Sequence, residues 1–158
     1  MKIILLNIFF IVLFINISSY AKTIIGKVKI IDGDTIHIKS NKIRLHGIDA
    51  PETKQTCKIE NIEWYCGKQS TKELKKLINK RNAECVINDV DIYNRYVAIC
   101  YVDKININQW MVKNGWAIAY RYYSKDYINE EEYADDNKLG IWKSKFLEPY
   151  LYRKKNKN

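Results

Sequence analysis

Proline and histidine each occur only twice in the 158-residue chain, and glycine six times. So little proline and glycine excludes a collagen-like or linker-rich architecture. The two histidines, His37 and His46, lie away from the four cysteines, which form no CxxC pair. A zinc site therefore has little to be built from. No segment repeats at a fixed period, which sets solenoids and propellers aside. The longest apolar run, residues 3–15 with Asn7 inside it, is short of the roughly 20 residues that span a bilayer. Acidic residues are in deficit: 18 Asp and Glu stand against 27 Lys and Arg, a net charge of +9. That excess points to a polyanionic partner or an anionic surface and says nothing of fold.

What is present fits one globular domain. Hydrophobic residues make up 47% and charged residues 28%, close to the globular average, so wholesale disorder is excluded. Lys2, the apolar run to Ile15 and the small residues Ser19 and Ala21 describe a secretory signal peptide over residues 1–21. The alternative is an uncleaved N-terminal anchor. Cleavage after Ala21 removes one lysine and no acid, so the basic character belongs to the domain. The expected organisation is residues 1–21 as signal, 22–146 as the domain, and 147–158 as a Tyr- and Lys-rich tail that frays. Export places the chain in the periplasm or outside the cell.

Four cysteines suit an oxidising compartment. Cys57, Cys66, Cys85 and Cys100 allow three pairings. Ala83 to Asn88 and Tyr96 to Val102 both read as strands, with a turn-like Asp91-Ile92-Tyr93-Asn94 between them. In such a hairpin Cys85 and Cys100 are equidistant from an apex at Ile92/Tyr93, which favours Cys85–Cys100 and leaves Cys57–Cys66.

Upstream, Thr23 to Ile31, Thr35 to Lys39 and Lys42 to Ile48 read as a three-stranded meander. In it Ile36 and Ile38 point inward, and His37 and His46 outward. Residues 49–66 show no sustained period and read as a loop. The spacing of Thr71, Leu74, Leu77 and Ile78 predicts a helix over 68–80. Two more helices are predicted, over 105–114 up to Gly115 and over 124–138 up to Gly140. Glu130-Glu131-Glu132 reads as a solvated face of the last one. Five short strands with a helix after the third is an α+β pattern, and a five-stranded OB-fold β-barrel with three α-helices fits it. Fold alone assigns no activity.

Three segments carry chemistry: Asp32-Gly33-Asp34-Thr35, Arg44 through Glu52, and Asp91 through Tyr96. Carboxylates at turns and strand ends suit a hard cation such as Ca²⁺. Arginine sharpens the reading, because only five are present: Arg44, Arg81, Arg95, Arg121 and Arg153. Lysine supplies the generic charge here, so an arginine marks a place that needs a planar, bidentate fork of the kind that binds phosphate. Two of the five fall in the three segments.

These segments, with residues 28–35, 44–53, 93–95, 114–117 and 139–142 in order, resemble the staphylococcal nuclease family. The resemblance runs from about Thr23 to Trp142. It implies an OB-fold barrel carrying a Ca²⁺-dependent phosphodiesterase site. Asp34 and Asp49 would bind Ca²⁺ through carboxylates and Ala50 through its backbone carbonyl, at a position that is often Thr in the family. Glu52 would be the general base, and Arg44 and Arg95 would grip the scissile phosphate. Tyr93, Tyr120 and Tyr122 match positions where the family places tyrosines against the nucleotide. Ile92 departs from members that carry Lys, and Asn94 stands where Gly is common. The implied activity is endonucleolytic cleavage of DNA and RNA, with unpaired regions preferred, little sequence preference and 3′-phosphate ends, by a monomer. Strand parity alone puts Arg44 and Asp49 on opposite faces, so their convergence is an implication of the resemblance. The competing class is an OB-type module that holds nucleic acid without cutting it.

Overall fold

The computed structural model describes residues 22–156. The signal-peptide reading of residues 1–21 lies outside them. The chain begins with β1 (Thr23–Ile30), β2 (Thr35–Ile38), β3 (Asn41–Leu45) and the two-residue β4 (Ile48–Asp49). A small hairpin, β5 (Cys57–Ile59) and β6 (Ile62–Trp64), precedes α1 (Cys66–Ile78). Then come β7 (Asn82–Val90), β8 (Tyr96–Val102), β9 (Ile105–Asn106), α2 (Ile107–Lys113) and β10 (Ile118–Ala119). Helix α3 (Ile128–Asp136), a 3₁₀ turn (Gly140–Lys143) and α4 (Pro149–Lys155) complete the chain.

Five strands close on themselves. β3, β2, β1, β7 and β8 are neighbours in that order, and β3 pairs with β8 in parallel, Arg44 opposite Val97, to shut the barrel. The inward set follows the alternation expected of strands. Ile36, Ile38, Ile43, Leu45, Ala83, Ala98 and Val102 are buried, and Leu74, Ile78, Ile107 and Met111 of the helices pack onto them. Cys85 stands opposite Cys100 in the β7–β8 register, and the two form a disulfide inside this core. Cys57 and Cys66 form the other bridge, which ties the β5–β6 hairpin to the start of α1. Both bridges match the pairing that the hairpin reading favours. The turn between β7 and β8 carries Asn94 in the left-handed region, φ 58°, a conformation asparagine tolerates better than most residues.

The structure corrects several expectations. Among the described residues there are four α-helices rather than three. The fourth, α4, lies in the segment 147–158 read as a fraying tail. Its sequence, PYLYRKK, has no apolar 3.6-residue stripe to betray it, but Pro149 at its start is buried. Proline suits a first helical turn, where its missing N–H costs nothing. Residues 49–66 are not all loop, since Asp49 belongs to β4, which pairs with β10, and residues 57–64 hold the β5–β6 hairpin. The acidic run is not wholly solvated either. Glu131 is buried and accepts hydrogen bonds from Arg121 and from the Ala119 N–H (3.0 Å), which clamps the tyrosine-rich segment 120–123 to α3.

Candidate active site

The site forms where the Asp32–Thr35 turn, the end of β3 and the segment 47–55 meet. At the turn, Asp32 Oδ1 accepts from the backbone N–H groups of Asp34 (3.0 Å) and Thr35 (2.7 Å), which fixes the chain direction. Asp34 is thereby buried at the barrel rim, where its Oδ2 accepts from the Ala50 N–H at 2.8 Å. Arg44, on β3, pairs through Nη1 with Asp34 and donates from Nη2 to Asp49 Oδ1 at 2.9 Å.

Arg44 and Asp49 therefore do converge, although simple strand parity separates them. Two observations explain it. Gly47 adopts φ +72°, a left-handed turn that glycine enters at low cost. That turn ends β3 and sends the chain back, and Asp49 is then held in β4 by pairing with Ile118 of β10. The same Arg44 Nη2 also donates to the Ile48 carbonyl at 3.2 Å, spanning the bend.

Glu52 follows on a segment pressed against α1. A Cβ on Gly67 would lie 1.7 Å from the Glu52 carbonyl oxygen, so the helix can approach only as glycine. Gln55, fully buried, accepts from the Glu52 N–H (3.2 Å) and donates to the Leu147 carbonyl (2.6 Å). It links the backbone of Glu52 to the chain leading into α4. The Glu52 side chain is about one-third exposed, 35%, and so is open to water.

A residue not foreseen from sequence completes the cluster. Arg153 of α4 donates from Nη1 to Asp49 Oδ1 (2.8 Å) and Glu52 Oε1 (3.1 Å), and from Nη2 to Asp49 Oδ2 (3.1 Å). The signal was available, because Arg153 is one of only five arginines in a tail otherwise charged by lysine. Asp32 is a second member that the expected ligand set left out.

The electrostatics follow from burial and these pairings. Burial works against the charge on Asp34, but Arg44 and the Ala50 N–H more than offset it and hold the carboxyl below its ordinary 3.8. Burial pushes Asp49 upward, and the guanidinia beside it do not fully reverse this. Burial and the neighbouring Asp34 carboxylate push Asp32 up to about 7. Several carboxylates packed together cannot all ionise freely without cations among them. Burial works against the charge on Arg44 and Arg153, but Asp34 and Asp49 for the first, and Asp49 and Glu52 for the second, more than offset it, so both remain charged.

The remaining expected residues lie around this cluster rather than in it. Arg95 is turned to Asp91, with Nε to Oδ2 at 2.8 Å and Nη2 to Oδ2 at 2.7 Å. Tyr93 is exposed and has the Arg95 guanidinium 5.4 Å from its ring centroid. Tyr120 and Tyr122 border a cleft of about 970 Å³ that reaches Asp49 and is walled by Tyr123, Trp142, Phe146 and Tyr150. Tyr120 packs on Tyr122, Tyr123 and Tyr150 with centroids 6.4, 5.1 and 6.5 Å apart. Burial and the nearby Asp49 charge push its phenol above the ordinary 10, so it stays a neutral donor. His46 is away from the chemistry and faces Asp126, Nε2 to Oδ2 3.1 Å.

The donor set, two buried aspartates and a nearby glutamate, fits a hard cation in kind. The arrangement does not yet present it as one site. Among the described residues no three of His, Cys, Asp and Glu stand together as a metal-holding group. Guanidinium groups lie between the carboxylates instead.

Residues 42–144 match the staphylococcal nuclease homologue family. The chain is 35% identical over 164 residues to an uncharacterized endonuclease of Haemophilus influenzae, covering 99% of this chain and 87% of that protein. It is 31% identical over 167 residues to the micrococcal nuclease of Shigella flexneri, covering 94% and 90%. It is 34% identical over 128 residues to the succinoglycan biosynthesis protein ExoI of Rhizobium meliloti, covering 78% and 67%.

Proposed function

Because the chain belongs to the staphylococcal nuclease family, we propose that it is a Ca²⁺-dependent endonuclease. It hydrolyses phosphodiester bonds of DNA and RNA with little sequence preference. The observation that carries this reading is the convergence of Asp34, Arg44, Asp49 and Glu52 at one rim of the barrel. An arginine fork, buried carboxylates and a water-accessible carboxylate are what phosphodiester hydrolysis needs in one place.

Glu52 is the general base. Its carboxylate takes a proton from a water molecule as that oxygen attacks phosphorus, the P–O5′ bond breaks, and the 5′ oxygen leaves with a proton from solvent. One fragment keeps a 3′-phosphate. Arg44 stands beside the reacting phosphate and donates to its non-bridging oxygens, where negative charge grows. Arg95 is oriented from the β7–β8 turn by Asp91 and grips the same group. Asp34, Asp49 and the Ala50 carbonyl would hold Ca²⁺. When bound, the ion supplies Lewis-acid stabilisation of the phosphoryl oxygens.

Tyr120 and Tyr122 line the cleft that opens from Asp49, and with Tyr93 they stack on bases. Stacking is tolerant of sequence, at about 1–3 kcal/mol per base, and favours unpaired strands whose bases can turn outward. The two disulfides suit an oxidising compartment, outside the cell or in the periplasm. The protein acts as a monomer. Incubation of the purified protein with denatured DNA, with Ca²⁺ and then with excess EGTA, tests the reading through cleavage and end-group analysis.

A further inference from the structure

The carboxylate oxygens that would take a divalent cation are already bonded. Asp49 Oδ1 accepts from Arg44 and Arg153, Asp49 Oδ2 from Arg153, and Glu52 Oε1 from Arg153. Asp34 Oδ1 accepts from Arg44 and from Thr35 Oγ1 (3.1 Å), and Oδ2 from the Ala50 N–H. A cation that binds Asp49 therefore competes with the guanidinium groups of Arg44 and Arg153. Of the two, Arg44 belongs to a barrel strand paired on both sides and its side chain is 14% exposed. Arg153 sits on a seven-residue helix at the end of the described chain, and its side chain is 29% exposed.

Apart from Arg153, the attachments of α4 are concentrated at its start. The chain before the helix is tied down, with Lys145 bonded to Lys58 through both backbone groups (2.8 and 2.7 Å) and Leu147 held by Gln55. Beyond this point, Pro149 is buried, Tyr150 leans on Tyr120, and Leu151, Lys154 and Lys155 are exposed. Among the described residues, Arg153 makes the only ion pairs from α4 to the body.

We propose that Arg153 is a built-in competitor for the divalent cation, a latch that holds α4 over Asp49 and Glu52 until the ion displaces it. This inference rests on the metal-dependent reading above and concerns how that site is regulated. A guanidinium neutralises the buried carboxylates while the ion is scarce. Ca²⁺ claims the same oxygens with two charges and releases the helix. The apparent Ca²⁺ affinity is then reduced by the fraction of molecules in which the latch is open. If that fraction is about one-tenth, the penalty is about ten-fold.

The test is Ca²⁺ binding to the purified protein by calorimetry, without nucleic acid, for the wild type, Arg153→Gln and Arg153→Lys. It is paired with hydrogen exchange of the α4 amides in the wild type. We expect Arg153→Gln to bind Ca²⁺ about ten-fold more tightly or better. Arg153→Lys should fall between, since it keeps the charge and loses the fork. The α4 amides of the wild type should lose protection as Ca²⁺ is added. Unchanged or weaker Ca²⁺ binding in Arg153→Gln overturns the latch. So does a tighter affinity with α4 protection unmoved by Ca²⁺, because that is charge repulsion without release. If the wild type binds Ca²⁺ and cuts DNA while Arg153→Gln gains nothing, the latch falls and the nuclease reading stands. If neither protein binds Ca²⁺, the metal reading falls and takes the latch with it.

Discussion

Arg44 is the residue on which the site's geometry turns, because one planar fork reaches two carboxylates at once. Its Nη1 pairs with Asp34 and its Nη2 with Asp49. Lysine carries the charge but not the fork. Arg44→Lys should therefore lower the cleavage rate at least about 100-fold, in line with losing a fixed donor to developing charge. The check is single-turnover cleavage at a temperature where a thermal melt shows the variant folded; a loss of only two- or three-fold would contradict the assignment. Arg44 was legible in the sequence because arginine is rare here and because it falls beside Asp49. Arg153 is equally rare, but it lies about 100 residues from its partners. No local pattern links the two across the barrel. Burial of Glu131 was hidden for a similar reason: three glutamates in a row look alike until a helix turns one of them inward.

At the scale of elements, the β7–β8 hairpin shows how a single carboxylate orders a turn. Asp91 Oδ1 accepts from the N–H groups of Tyr93 (3.0 Å) and Arg95 (2.9 Å), and Oδ2 accepts from the Arg95 guanidinium. Partial burial works against the charge, and these donors overcome it and hold the carboxyl below 3.8. A folded pKa below the unfolded value gives stability that is complete above about 3.8 and lost as the pH falls through the folded value. Asp91→Asn should cost about 1 kcal/mol at pH 7. The gap to wild type should close in urea melts taken progressively below pH 3.8. A gap that stays constant with pH would mean the charge contributes nothing.

The strands and this turn were readable because alternation and turn residues are local signals. α1 was readable from its apolar spacing. The pairing of β4 with β10 was not, because two-residue strands have no period. α4 was not, because its place is set by Pro149 packing and by Arg153 rather than by an apolar stripe.

For the whole molecule, a barrel of short strands is secured by a cross-link within its core. Cys85 and Cys100 are fully buried, opposite each other on β7 and β8. Replacing both by alanine should lower stability by about 2–4 kcal/mol. Cleavage at 25 °C should stay within a few-fold of wild type, since the bridge contributes no atom to the carboxylate cluster. A comparable loss of rate in fully folded variant would show that the barrel interior transmits strain to the rim. Among the described residues no helix is long and apolar enough to cross a membrane. The net charge of +9 favours the approach of a polyanion such as nucleic acid, and salt should weaken that attraction.

The most direct measurement of the central claim is cleavage of denatured DNA by the purified protein under three conditions: with Ca²⁺, with Ca²⁺ followed by excess EGTA, and with Glu52→Gln in Ca²⁺. Fragments with 3′-phosphate ends are expected in the first condition, arrest in the second, and a rate at least about 100-fold lower in the third. DNA that remains intact in Ca²⁺ while still bound by the protein would contradict it and leave a nucleic-acid-binding barrel in place of an enzyme.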